Sequence, residues 1–350
     1  MINLIDYGFI QAMIEEYDEG IPARVSAVHK ERYELVCQYS QIYGKLKSSV
    51  FFNEQYEEFP TTGDFVMIQF NPSGDSLILA VLPRRTFFSR RDPTPGRGEQ
   101  AVAANFDYVF IMSSLNHDFN PRRIERYLTL AWQSGAIPVI VLTKADLVDD
   151  FEQQLSDIQS VAVGIDVVAV SSVSGSGIDL LSEYMKPGKT IVFLGSSGVG
   201  KSSLVNAIAG EDIMAVNTIR EDDSKGKHTT THRQLVMLKS GAMIIDTPGM
   251  RELGMWDVSE GVGNAFAEVT EYFDKCRFSD CKHNKEPGCA VCIAIESGEL
   301  SEERWQSYLK LKNEAKYADD KAAFMKERQQ RSKAGAIQHK RNKKNGGYKK

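Results

Sequence analysis

The chain predicts a multidomain protein: an N-terminal β-barrel, a central α/β domain of the P-loop kind, and a C-terminal helical module built on a metal site. Three observations predict it. Residues 21–83 fall into short β-rich runs broken by turn signals. From Phe106 onward, apolar strand runs alternate with helical patterns and carry GSSGVGKS at 195–202. Four of the five cysteines lie within 276–292, a spacing that suits metal ligation better than a disulfide framework.

In chain order, residues 1–20 read as a short N-terminal helix. The runs ARVSAVHKERYELVCQY, QIYGKLKSSVFF, GDFVMIQF and SLILAVLP follow, with turns at Thr62-Gly63-Asp64 and Asn71-Pro72-Ser73-Gly74. About sixty residues of short antiparallel strand suit a small barrel, and periodicity alone leaves OB-fold and SH3-like both open. Residues 84–105 are basic and Pro/Gly-punctuated, and read as a linker. The α/β domain takes 106–255, with strands DYVFIMSS, IPVIVL, DVVAVSS, TIVFLG, RQLVMLK and AMIIDTPG. Helices are expected over Pro121–Ser134, Asp149–Val161 and Lys201–Ile208. Continuous apolar strands predict a mostly parallel sheet covered on both faces. Helix and a Cys/His cluster occupy 256–325.

The last segment, 326–350, holds ten Lys/Arg against one acid, a net of +9 on a chain of net −5. Such a tail suits phosphate backbones or merely solubility. No run of about 18 apolar residues suggests a membrane span, and the acidic start lacks a cationic signal head. A cytosolic monomer with no membrane partner is the expected state.

Gly195-Ser196-Ser197-Gly198-Val199-Gly200-Lys201-Ser202 matches GxxxxGK[ST] between a strand and the helix that opens Ser202-Ser203. Backbone N–H groups and the helix N-terminus would cradle phosphates. Lys201 would reach the terminal phosphates and Ser202 would ligate magnesium. Asp246-Thr247-Pro248-Gly249 ends the strand AMII, where a magnesium-linked acid belongs, and Gly249 can offer its N–H to a γ-phosphate. Thr143-Lys144-Ala145-Asp146 resembles the NKxD element. Asp146 would accept from the guanine ring N–H and amine, a donor pair that adenine lacks. Lys144 would lay its stem over the base, and Thr143 stands where Asn is usual. Ser171-Ser172-Val173-Ser174-Gly175 resembles the loop behind the guanine keto oxygen. The base-reading half thus precedes the phosphate half, a circular permutation that leads the switch after Asp246 directly into the C-terminal module.

The succession TKAD, SSVSG, GSSGVGKSS, HTTTH, DTPG, CRFSDCKH and EPGC over roughly 21–300 is similar to the ribosome small subunit-dependent GTPase A family, RsgA or YjeQ. The resemblance implies an OB-fold, a permuted GTPase domain using GTP, GDP and magnesium, and a zinc domain. It also implies a role in late maturation of the small ribosomal subunit, with its rRNA as partner. Cys276, Cys281 and His283 take a fourth ligand from Cys289 or Cys292, and the resemblance selects Cys289 in a structural Cys₃His zinc site. Met250 stands where Ras-like enzymes place a water-orienting Gln. His228 is the nearest substitute, and Thr230 is favoured for magnesium over Thr229 and Thr231. Two other readings stand beside this one. The first is an RNA-binding scaffold with structural nucleotide. The second is a permuted GTPase of the large subunit, against which the barrel and the Cys₃His module both argue.

Overall fold

The computed structural model describes residues 1–14, 17, 19–30, 32–48, 59–91, 99–116, 119–214, 233–246, 262–263, 265–283, 286–313 and 316. His228, Thr229, Thr230, Thr231, Gly249, Met250 and the basic tail 326–350 lie outside the described residues.

The N-terminal segment does not form the single helix expected over 1–20. It makes two short 3₁₀ turns, Leu4–Tyr7 and Gln11–Ile14. The Asn3 side chain caps the first, and Gly8 ends it in the left-handed region at φ 77°, where the chain leaves the helical path. Leu4 and Phe9 then pack with Val36, Phe65, Met67 and Leu82.

Those partners explain the barrel's burial pattern. Strands β1 (Ile21–Val28), β2 (Tyr33–Cys37), β3 (Gln41–Leu46), β4 (Phe65–Gln69) and β5 (Ser76–Val81) run in the order β1-β2-β3-β5-β4. β1 pairs with both β2 and β4, which closes the barrel, and β3 and β5 are parallel. That Greek-key closure is the OB arrangement. Side chains alternate across a strand: Val66 and Ile68 enter the interior with Ala23, Val25, Leu35, Cys37 and Ile78, while Phe65 and Met67 face the N-terminal turns. β1 shifts register between Val25 and Ala27, a bulge that bends it. Beyond the bulge, Ala27 pairs with Gln234 of β12 (Gln234–Met237), so the barrel continues into the next sheet.

Arg24 of β1 sits fully buried at this junction. It donates to the carbonyls of Tyr7, Gly63 and Asn105 and to Thr190 Oγ1, at 3.0 Å for the last, with Phe65 beneath it at 4.9 Å. Burial lowers its pKa to about 9. The stretch expected as a linker, 84–105, carries a two-stranded antiparallel ladder, β6 (Phe87–Arg91) with β7 (Glu99–Ala104).

The central sheet orders β10 (Val167–Ala169), β9 (Ile137–Thr143), β8 (Tyr108–Ser114), β11 (Thr190–Gly195), β13 (Met243–Asp246) and β12. All pairs are parallel except β12–β13. Alternate residues of one strand enter opposite cores: Val109 and Ile111 of β8 join one, Phe110 and Met112 the other. This is why the strands read as unbroken apolar runs. Helices Pro121–Gln133, Glu152–Val161 and Lys201–Ala209 stand where expected. Asn120 caps the first by accepting from Arg123 N, with Pro121 in the first turn.

Among the described residues no strand follows β13. Helices Ala267–Thr270, Ala290–Ser297 and 302–313 form the C-terminal part. Their Phe266, Val269, Val291, Trp305, Tyr308 and Leu311 share a core with Ile124, Leu128 and Ala131 of helix Pro121–Gln133. The metal-bearing part therefore packs directly on the α/β domain. Among the described residues no helix is long and apolar enough to cross a membrane.

Candidate functional site

Parallel strands bring their carboxyl ends to one rim, and ligands of open α/β sheets gather there. On this rim Gly195 of β11 lies beside Met112 of β8, and Thr143 of β9 lies beside Ser114. β13 flanks β11 on the other side and ends at Asp246. The phosphate loop leaves β11 at Gly195 and enters helix Lys201–Ala209 through Gly200, at φ 102°. An L side chain rarely adopts that conformation, so glycine is required for the loop to curl onto the helix N-terminus. Ser196, Ser197, Gly198, Ser202 and Ser203 are all at least partly exposed, and Val199 is buried beneath them.

Lys201 and Asp246 converge on the same space. The Lys201 ammonium pairs with Asp246 Oδ1, with side chains 30 % and 13 % exposed. The lysine that follows the β11 loop and the acid that ends β13 thus meet. Asp246 and the Ser202 hydroxyl are hard oxygen donors of the type magnesium accepts, and this ion takes few protein ligands beside phosphate oxygens and water. The donor set fits.

The Thr143–Asp146 loop is tied to the Gly195–Ser202 loop by a bond that sequence reasoning missed. Thr143, buried, donates its hydroxyl to the Val199 carbonyl at 2.6 Å. Threonine in place of asparagine therefore joins the two loops. Lys144 turns the chain at φ 60° into the short turn Ala145–Leu147, and Ala145 N donates to Val170 O at 3.1 Å. Ser171, fully buried, donates its hydroxyl to Asp146 Oδ1 at 2.5 Å. The same hydroxyl accepts from the N–H groups of Val173 and Ser174 at 3.2 and 3.1 Å. Ser171 therefore acts here by orienting the Asp146 carboxylate, while Ser172 lies half-buried beside it. An oriented carboxylate at the end of β9 can accept from two adjacent donors on a planar base.

The second cluster is in the C-terminal part. One ligand atom from each of Cys276, Cys281, His283 and Cys289 lies within 4.8 Å of every other. A 3₁₀ turn, Phe273–Lys275, delivers Cys276, and Cys289 precedes helix Ala290–Ser297. His283 Nδ1 lies 3.5 Å from Cys276 Sγ and 3.6 Å from Cys289 Sγ. Its ring stacks on Phe273 at 4.4 Å and meets the edge of Trp305 at 5.9 Å. Ala290 N donates to Cys276 Sγ at 3.4 Å, a bond that steadies a thiolate. Cys292 is half-buried against the core and outside the group.

Burial first, and the neighbouring thiols after it, push Cys281 up to about 12. Burial and then Lys312 lower the His283 pKa, favouring the neutral imidazole that ligates metal. A bound cation would displace the thiol proton, so metal affinity should rise with pH. Three sulfurs and one nitrogen in a closed group can hold a divalent metal ion.

A model of the RsgA GTPase family matches residues 81–256. "Small ribosomal subunit biogenesis GTPase RsgA 1" of Listeria monocytogenes is 46 % identical, covering 90 % of this chain and 89 % of that protein. The chain belongs to the RsgA GTPase family. It is therefore a GTPase. "Small ribosomal subunit biogenesis GTPase RsgA 2" of the same species is 44 % identical, covering 96 % of both chains. Among solved structures, YjeQ from Thermotoga maritima aligns with a TM-score of 0.64 at 29 % identity, over 84 % of this chain and 98 % of that one. The circularly permuted GTPase YloQ shares the fold, with a TM-score of 0.61 over 86 % and 97 % of the two chains.

Proposed function

We propose that this RsgA-family chain hydrolyses GTP as an assembly factor in late maturation of the small ribosomal subunit, binding its rRNA in the cytoplasm. The observation that carries the reading is the reach of the likeness. Identity of 46 % to a protein named for small-subunit biogenesis spans 90 % of this chain, so it includes the barrel and the Cys₃His part as well as the GTPase core.

Each site residue has a role in this reading. Asp146, held by Ser171, accepts from guanine, Lys144 covers the base, and Thr143 keeps both loops in register through Val199. The backbone from Gly195 to Ser203 cradles the phosphates, and Lys201 neutralises charge that builds on the γ-phosphate side. Ser202, Asp246 and Thr230 would hold magnesium, which when bound would supply further neutralisation of the phosphate oxygens. Gly249 offers its N–H to the γ-phosphate, and His228 orients the attacking water.

The test is GTP turnover by the full chain, alone and with purified small or large subunits. Small subunits should raise the rate and large subunits should not. His228→Ala should leave GTP affinity and basal rate near the parent and lower the stimulated rate roughly 10²–10⁴-fold. No stimulation of the parent would leave an RNA-binding scaffold, and equal stimulation of the variant would remove His228 from the mechanism.

We assign the Cys₃His group to zinc, because three sulfurs and one imidazole nitrogen are a donor set that suits that ion in a structural site and would leave no position for catalytic water. Metal analysis should find about one zinc per chain. Cys289→Ser should lose it and Cys292→Ser should keep it. The reverse pattern would move the fourth ligand to Cys292.

A further inference from the structure

Helix 302–313 touches the GTPase domain, the segment that follows β13, and the metal cluster. Its Arg304 is 8 % exposed. Nη1 donates to Glu125 Oε1 at 2.5 Å, Nε to Glu268 Oε1 at 2.6 Å, and Nη2 to the Ala265 carbonyl at 2.7 Å. The guanidinium carbon lies 3.9 Å from the centre of the Phe266 ring. Glu125, itself buried, belongs to helix Pro121–Gln133 of the GTPase domain. Ala265, Phe266 and Glu268 belong to the part that follows β13, separated from Asp246 in sequence mainly by residues 247–261.

One residue along the same helix, Trp305 meets the edge of His283. Trp305 and Tyr308 both pack edge-on against Phe273, whose ring stacks on His283. A contiguous series of contacts therefore runs from helix Pro121–Gln133, through Arg304 and its helix, to a residue of the metal cluster.

The chemistry of Arg304 makes this junction sharp. A planar guanidinium bonded to two carboxylates and a carbonyl accepts one arrangement of those groups. A buried pair that loses one partner leaves an unpaired charge, so partial displacement is disfavoured. Arg122, Asp157, Glu299 and Glu303 line the adjoining cleft, and their excess of acid also favours retention of the cation. Coupling between distant sites needs an element with discrete arrangements, which a junction that resists partial displacement would supply.

We propose that Arg304 is a positioning residue through which the phosphate state of the nucleotide reaches the metal-bearing part. It clamps residues 265–268, which follow β13, onto helix Pro121–Gln133 and passes their movement to His283 through Trp305. The proposal rests on the GTP-switch reading of Asp246 and the residues after it.

The test is amide hydrogen exchange on the full chain with GDP and with a non-hydrolysable GTP analogue. In the parent, exchange over 265–313 should differ between the two nucleotides. In Arg304→Lys and in Glu125→Gln that difference should shrink roughly five- to tenfold. Metal content, GTP affinity and basal turnover should stay within about twofold of the parent, which separates lost coupling from general loosening of the fold. Glu125→Gln keeps volume and an acceptor, so it serves if Arg304→Lys folds poorly. A parent that binds GTP tightly but shows no difference over 265–313 would overturn the proposal alone. So would variants that keep the parent's difference, or that lose metal and nucleotide together. A parent that binds no GTP would overturn the switch reading and the proposal with it.

Discussion

Lys201→Ala should abolish tight GTP binding while the barrel stays folded and the metal cluster keeps its ion. The ammonium is the one side-chain cation that the phosphate loop itself supplies, and it lies at the N-terminus of helix Lys201–Ala209 against Asp246. Bonds between charged groups contribute about 1.5–3 kcal/mol each. Loss of contacts to two phosphates therefore predicts roughly a 100-fold or greater fall in affinity. The effect should be smaller for GDP, which lacks the terminal phosphate. Asp246 also loses its counter-ion, but its side chain retains 13 % exposure, so water can offset part of that loss and the fold should survive. Titration with a fluorescent GTP analogue measures the change, and affinity within threefold of the parent would contradict the role given to the loop.

Asp146→Asn should remove the preference for guanine. The Asp146 carboxylate is held by the Ser171 hydroxyl at 2.5 Å, and that hydroxyl is itself fixed by two backbone N–H groups. An asparagine oxygen can still accept from Ser171, so the loop should keep its shape. The other half of the amide then presents donors to the two donors of guanine, which cannot pair. Two unmet bonds to a formerly charged acceptor predict a loss of roughly 10²–10⁴ in GTP affinity. Xanthine carries a carbonyl in place of the guanine amine, so xanthosine triphosphate should gain relative to GTP. Competition among GTP, ATP and xanthosine triphosphate checks this. An unchanged GTP-to-ATP ratio would show that Asp146 does not read the base.

What could be read from the sequence was what chemistry demands at short range. Phosphate binding needs glycines, a lysine and a helix start within one loop, so the sequence marks Gly195–Ser202 as a candidate, and the structure has the strand, loop and helix start there. A closed metal site needs its sulfurs and imidazole near a turn, so 276–289 does too. The two-face burial of β8 and β9 follows from their unbroken apolar runs. The N-terminal segment misled because its helical signal is local, whereas Gly8 and the barrel surface at Phe65 and Met67 decide its path. Residues 84–105 looked like a linker because Pro and Gly stand at their centre, but the flanks pair as β6 and β7.

Long-range polar contacts leave no sequence pattern. Arg24 reaches Thr190 across 166 positions, and Arg304 reaches Glu125 across 179. The bond from Thr143 to Val199 spans 56. It was visible only as a departure from the usual asparagine, not as its replacement.

The central claim is that two loops in reversed chain order build one guanine-nucleotide site. A structure of the full chain with magnesium and a non-hydrolysable GTP analogue tests it most directly. The account predicts the guanine edge on Asp146, the triphosphate along Gly195–Ser202 with Lys201 on its outer phosphates, and magnesium beside Ser202 and Asp246. A nucleotide seated with its base away from Thr143–Asp146, or with its phosphates off the Gly195–Ser202 loop, would contradict it.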